Sequence, residues 1–205
     1  MTDEAHFTLC GSVNTHNVRY WGTENLQIIH EVPLHSQKVT VWCCVCSDRI
    51  IGPYFFEDEN GVTATVNGAR YRSMLRDFLS VDVTENGMEH YWFQQDGATC
   101  HTANETINLL KQMFPNRLIS KRGDFDWPPR SPNLTLPDFF LWGFLKSKVY
   151  FNKPESLEQL KTNIRNAIAD IESETLQKVM ENAEKRADLC VAAKGGHLPD
   201  IVFKQ

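Results

Sequence analysis

Apolar and polar positions alternate through the first half of the chain and then change period. Lys38-Val39-Thr40-Val41-Trp42-Cys43-Cys44-Val45-Cys46 is β-branched and aromatic, and it predicts the strongest strand. Ser47-Asp48 supplies a turn, and residues 49–56 read as the return strand of a hairpin, with Pro53 pointing to an edge position. Residues 5–10, closed by Gly11, and the brief apolar run 27–30 are shorter strand candidates. The polar stretch 57–66 predicts loop. Over residues 67–79 the spacing of Tyr71, Met74, Leu75, Phe78 and Leu79 turns helical. Residues 90–96 and 117–120 predict short strands. They flank a helix that Thr102 or Asn104 caps and that runs to Phe114, ahead of Pro115.

The second half reads differently. Residues 127–137 hold Pro128, Pro129, Pro132 and Pro137, which predicts an extended path rather than helix or central strand. Pro137 suits an early helical position, and residues 138–149, rich in aromatic and aliphatic side chains, predict a mostly buried helix. Pro154 breaks the pattern. Ser156 then opens a long amphipathic helix with Leu157, Leu160, Ile164, Ile168 and Ile171 on one face. A further helix covers residues 173–190, and Gly195-Gly196 ends it before a tail with Ile201-Val202-Phe203. Strands, then alternating helix and strand, then helices make an α/β or mixed domain with a helical C-terminal part.

Composition narrows the possibilities. A chain of 205 residues with 41% apolar and 23% charged residues can bury a substantial core without staples. No apolar run is long enough to span a bilayer, and the acidic start Met1-Thr2-Asp3-Glu4 lacks a signal peptide's apolar segment, so an intracellular protein is expected. A net charge of −5 argues against a globally basic nucleic-acid binder but leaves room for a local basic groove around an acidic centre. Six cysteines are present. Cys43 and Cys44 point to opposite faces of a strand, and Cys43, Cys44 and Cys46 read as buried thiols rather than a zinc site.

Candidate chemistry rests on carboxylates. Asp96 closes a strand ahead of Gly97, where α/β sheets gather functional groups. Asp138 opens a helix after the proline-rich loop, and Asp3 stands at the front of the first strand. Carboxylates from separate elements suit hard divalent cations, and paired cations serve phosphoryl transfer. Taken singly, an Asp at a helix start is commonly a cap and an Asp before Gly a turn residue.

Three ordered segments add to this. They are Thr2-Asp3-Glu4-Ala5-His6-Phe7, the run from Gln94-Gln95-Asp96-Gly97 to His101-Thr102-Ala103, and the run from Trp127-Pro128-Pro129 to Asp138-Phe139-Phe140-Leu141-Trp142-Gly143. Together they resemble the catalytic blocks of mariner-type (Tc/mariner superfamily) DNA transposases, in a branch whose third acid is Asp, with 41 residues between Asp96 and Asp138. Gly195-Gly196-His197-Leu198-Pro199-Asp200-Ile201 is similar to the end of such proteins. The resemblance implies a ribonuclease H-like mixed sheet flanked by helices. It implies residues 1–150 as catalytic core and 151–205 as a helical extension packed on it. It makes Asp3, Asp96 and Asp138 catalytic metal ligands for Mg2+ or Mn2+. The implied activity is nicking at transposon ends and strand transfer to target DNA. A nuclear location and a homodimer of the full-length protein go with it, with no membrane and no small-molecule substrate. His101, Lys121, Arg122 and Arg130 become candidate DNA contacts, and Glu4 a supporting or solvated residue.

Departures shape the expectations too. Met1 lies just ahead of Asp3, which predicts that helix-turn-helix DNA-binding modules are absent, that the first strand is truncated and that Asp3 sits on a frayed terminus. Asn133 stands where the family's loop has Asp, which predicts a misplaced Asp138. The competing reading is therefore a truncated, inactive or domesticated remnant acting only as a DNA-binding or dimerising module.

Overall fold

The computed structural model describes residues 1–11, 37–88 and 90–195. The strand expected at 27–30 and the motif and apolar tail beyond Gly195 lie outside the described residues.

Strand β2 (Lys38–Val45) organises the fold. It pairs antiparallel with β1 (Thr2–Thr8) on one side and β3 (Ile50–Phe55) on the other. A β-strand turns successive side chains to opposite faces, and both faces of β2 are buried. Val39, Val41, Cys43 and Val45 enter one core, while Trp42 and Cys44 enter a second. The opposite orientation of Cys43 and Cys44, and the burial of three free thiols at 43, 44 and 46, match the sequence reading. Register shifts between Trp42 and Cys44, where Gly52 on β3 adopts φ 117°. A Cβ there would meet the Trp42 carbonyl at 3.0 Å, so the irregularity requires glycine.

Helix α1 (Gly68–Met74) is capped by the Asn67 side chain and continues through a π-helical stretch (Leu75–Leu79) into α2 (Ser80–Glu85). The helix thus runs past Leu79, where the apolar spacing fades, because Val83 still reaches the second core. The expected strand at 90–96 shortens to β4 (Phe93–Gln94), which pairs parallel with β5 (Leu118–Ile119). Between them lie α3 (Thr99–Thr102) and α4 (Asn104–Met113). Neither Thr102 nor Asn104 caps α4: Ala103 occupies the cap position without a side-chain bond. Thr102 instead bonds back to the Ala98 carbonyl inside its own short helix.

The proline-rich segment is less extended than expected, since it contains turns and Arg130 takes φ 55°. Pro137–Leu141 then forms a π-helical turn that continues as α5 (Trp142–Lys148). Ser156 caps α6 (Leu157–Ala169), whose Leu160, Ile164 and Ile168 pack with α5 and β2. Helix α7 (Ser173–Ala192) adds Leu176 and Ala183 to that core. Helices therefore cover both faces of a mixed strand layer.

The first strand is not frayed. All seven residues of β1 pair with β2, and the Met1 ammonium donates to the Val45 carbonyl at 2.9 Å. Asp3 sits inside the ladder opposite Cys43, which corrects the expectation of a loose terminus. The parallel pair β4–β5 forms a separate sheet, and Thr2 Oγ1 donates across to the Gln94 carbonyl at 3.0 Å. Among the described residues, no helix is long and apolar enough to cross a membrane.

Ile164 is fully buried where α6 meets the sheet. Ile164→Ala should cost about 2–5 kcal/mol in urea unfolding, the range for a deleted core aliphatic.

Candidate active site

Alternation along β1 divides two neighbouring acids between the layers. Asp3 faces the α5 side, where the Trp142 indole N–H donates to its Oδ2 at 2.8 Å. Glu4 faces the α1 and α3 side and accepts from His101 Nε2 at 3.1 Å. Asp96 follows β4, and its Oδ1 accepts from the Ala98 N–H at 3.0 Å and from His101 Nδ1 at 2.5 Å. Asp138 sits in the π-helical turn that opens α5. A widened turn of this kind is frequent where side chains must be re-aimed at functional sites.

Asp138 lies within electrostatic reach of both Asp3 and Asp96. The Asp3 carboxyl is pushed up to about 7, first by burial and then by the charge of Asp138. Asp138 is also raised, by burial and by the charge of Asp96, although a side-chain hydrogen bond with Asp3 works the other way. Asp3 and Asp138 thus titrate as an interacting pair, both displaced upward chiefly by burial. Burial also opposes the charged form of Asp96, but the bonds from His101 and from the Ala98 N–H outweigh it and hold Asp96 below the usual carboxylate range. Among the described residues, no group of three His, Cys, Asp or Glu side chains is arranged so that it could hold a metal ion. The carboxylates share a neighbourhood, with Asp96 drawn toward His101 and Asp3 toward Trp142.

His101 is fully buried and its ring lies 4.4 Å from that of Tyr71. Burial disfavours the imidazolium, yet Tyr71, Asp96, Cys100 and Glu4 together raise its pKa well above the ordinary value. With both nitrogens donating to carboxylates, it has no free edge for a phosphate. That corrects its expected role as a DNA contact and makes it the residue that orients Asp96. A buried network supports it. The Tyr71 hydroxyl donates to Gln95 Oε1 at 2.9 Å, and Gln95 Nε2 donates to the His101 carbonyl and to Ser120 Oγ.

Lys121, Arg122 and Arg130 are exposed. Arg122 leans toward the α3–α4 junction, donating to Asn104 Oδ1 at 3.1 Å and weakly to the Thr102 carbonyl. The sequence reading missed Trp142, Tyr71 and Gln95 as site residues. Trp142 read only as core, and Tyr71 was hidden in an amphipathic stripe. Gln95 carried a signal in its place beside Asp96 on a buried strand.

This strand layer, helices on both faces, and acids gathered from β1, the end of β4 and the start of α5 define a ribonuclease H-like fold. It superposes on the Mos1 transposase catalytic domain solved with raltegravir and Mn, with a TM-score of 0.67 and 20% identity over 80% of this chain and 78% of that one. The Mos1 transposase paired-end complex with left transposon end matches with a TM-score of 0.74 and 17% identity, over 97% of this chain and 55% of that one. No family model matches the chain. Over 136 residues it is 29% identical to the Tc3 transposase of Caenorhabditis elegans, an alignment covering 65% of this chain and 39% of that protein.

The Asp3 environment predicts a specific pH dependence. Its folded-state value of about 7 lies above the ordinary 3.8 of the unfolded chain, so the fold binds this proton more tightly. The associated stability is fully present below the unfolded value and is lost as pH rises through the folded one. Asp3→Asn should match the wild type near about pH 4 and exceed it near about pH 8, by a few kcal/mol at most. Urea midpoints that coincide at the higher pH would show that the charged form is not penalised.

Proposed function

We propose that this chain is the catalytic part of a Tc1/mariner-type cut-and-paste DNA transposase, cleaving strands at transposon ends and joining them to target DNA. The mutual influence of Asp138 with Asp3 and with Asp96, in a ribonuclease H-like fold, carries this reading. The similarity to the Tc3 transposase supports it. The chain spans about 39% of the length of that relative, so the reading concerns the catalytic step. Retention of all three acids, with Asp138 beside Asp3 despite Asn133, favours an active centre over an inert remnant.

The donor set fits hard divalent cations. Burial raises the cost of charge on Asp3 and Asp138, a cost a cation would offset, and carboxylate oxygens are the ligands Mg2+ and Mn2+ prefer. Asp3, Asp96 and Asp138 are the proposed ligands, and the Mos1 catalytic domain has been solved with Mn and with Mg. Such ions, when bound, activate an attacking oxygen and stabilise a leaving one. The chain's own contribution is orientation. Trp142 fixes the Asp3 carboxylate, while His101 holds Asp96 and ties it to Glu4. DNA is the proposed partner, in keeping with the Mos1 complexes that hold transposon ends. Lys121, Arg122 and Arg130 are proposed phosphate contacts at the exposed rim. Action on chromosomal DNA places the protein in the nucleus, and a homodimer would pair two ends.

Nicking of supercoiled plasmid should require Mg2+ or Mn2+. Asp96→Ala and Asp138→Ala should each lower it by more than the roughly 10–100-fold that loss of a supporting group costs. Cation-independent nicking, or wild-type rates in either variant, would defeat the proposal.

A further inference from the structure

Through Arg186, helix α7 contacts the segment that carries Asp138. Arg186 is buried although its guanidinium remains charged, and burial pulls its pKa below the ordinary arginine value. Its guanidinium carbon lies 4.1 Å from the centre of the Phe139 ring. Its Nη1 donates to the Asn133 carbonyl at 3.2 Å, and its Nε donates to Asn182 Oδ1 at 2.6 Å. Burying a charge is costly unless its donors and faces find partners. Two of these partners, the Asn133 carbonyl and the Phe139 ring, sit at the two ends of one short segment. Asn133 begins it and Phe139 closes it, Thr135 and Leu136 are buried within it, and Asp138 is the residue next to Phe139.

We propose that Arg186 is a positioning residue for Asp138. Its guanidinium clamps residues 133–139 at both ends and so holds the third carboxylate beside Asp3. This rests on the reading of the aspartates as metal ligands. Arginine suits the task because a planar guanidinium stacks on a ring while its in-plane N–H groups donate to a carbonyl. A lysine ammonium is a single nitrogen and cannot lie flat on the ring while reaching the carbonyl at the far end of the segment. Asn133 contributes through its backbone carbonyl, so this clamp does not depend on the side chain at that position.

The test is Mn2+ titration by calorimetry on the full chain, with circular dichroism and melting temperature followed in parallel. Arg186→Met and Arg186→Lys should each weaken Mn2+ binding by about tenfold or more, the scale for a group that orients a ligand. Guanidinium ion at low millimolar concentration should restore affinity to Arg186→Ala, and methylammonium should not. Arg165→Met is the control, since Arg165 stacks 4.9 Å over Phe55 on α6 and has no bond to this segment. It should leave Mn2+ affinity unchanged whatever it does to the melting temperature. Wild-type affinity in Arg186→Lys, or no guanidinium rescue in a folded Arg186→Ala, overturns the proposal. If Arg186→Met or Arg186→Ala fails to fold, Arg186→Lys decides alone, since it keeps charge and bulk. Unchanged affinity in Asp138→Asn would instead sink the metal reading itself, a separate outcome.

Discussion

Strand alternation is the constraint on which the site depends. Consecutive residues on β1 must face opposite sides of the sheet, so Asp3 and Glu4 are sent into different layers. Asp3 meets Trp142 and Asp138 on the α5 side, and Glu4 meets His101 on the other. Through His101 that second contact returns to Asp96 at the end of β4. The acidic centre is therefore assembled around a sheet edge from both faces at once. A slip of β1 by one residue would exchange the two acids and dismantle both halves. The complete pairing of β1 with β2, itself buried on both faces, guards against that slip.

Two electrostatic solutions coexist within this small region. Asp96 has been neutralised locally, by an imidazolium that spans it and Glu4. Among the described residues Asp3 and Asp138 have no cationic partner, and burial first and mutual repulsion second raise their proton affinity. Pairs of acids whose surroundings push their titrations apart mark functional centres more often than structural ones. The arrangement sacrifices stability near neutral pH for a concentration of negative charge that a packed core would otherwise reject.

Much of the fold was legible because its elements are locally consistent. The β-branched run 38–46, the apolar stripe of α6 and the Ser156 cap each carry their own signal. Boundaries failed where tertiary contacts decide them. β1 starts at Thr2 because β2 offers a partner for every residue, although Thr2-Asp3-Glu4 has no strand-like alternation. β4 shrinks to two residues because only Phe93 and Gln94 find register with β5. The three aspartates were singled out by motif order, while the side chains that contact them were not. Trp142 and Arg186 act across more than fifty residues of sequence, through an indole nitrogen and a stacked guanidinium that composition cannot distinguish from core and surface.

The π-helical turn at Pro137–Leu141 has an evolutionary corollary. Such a turn is an α-helical turn carrying one extra residue, so the chain before and after it keeps its phase. Loss of a single codon there would leave a regular helix and an intact core, because Leu136 on one side and Leu145 on the other would still face inward together. Only the side chains inside the turn would be re-aimed, and Asp138 is one of them. A lineage could in this manner keep a well-folded protein while turning its third carboxylate aside in one in-frame event.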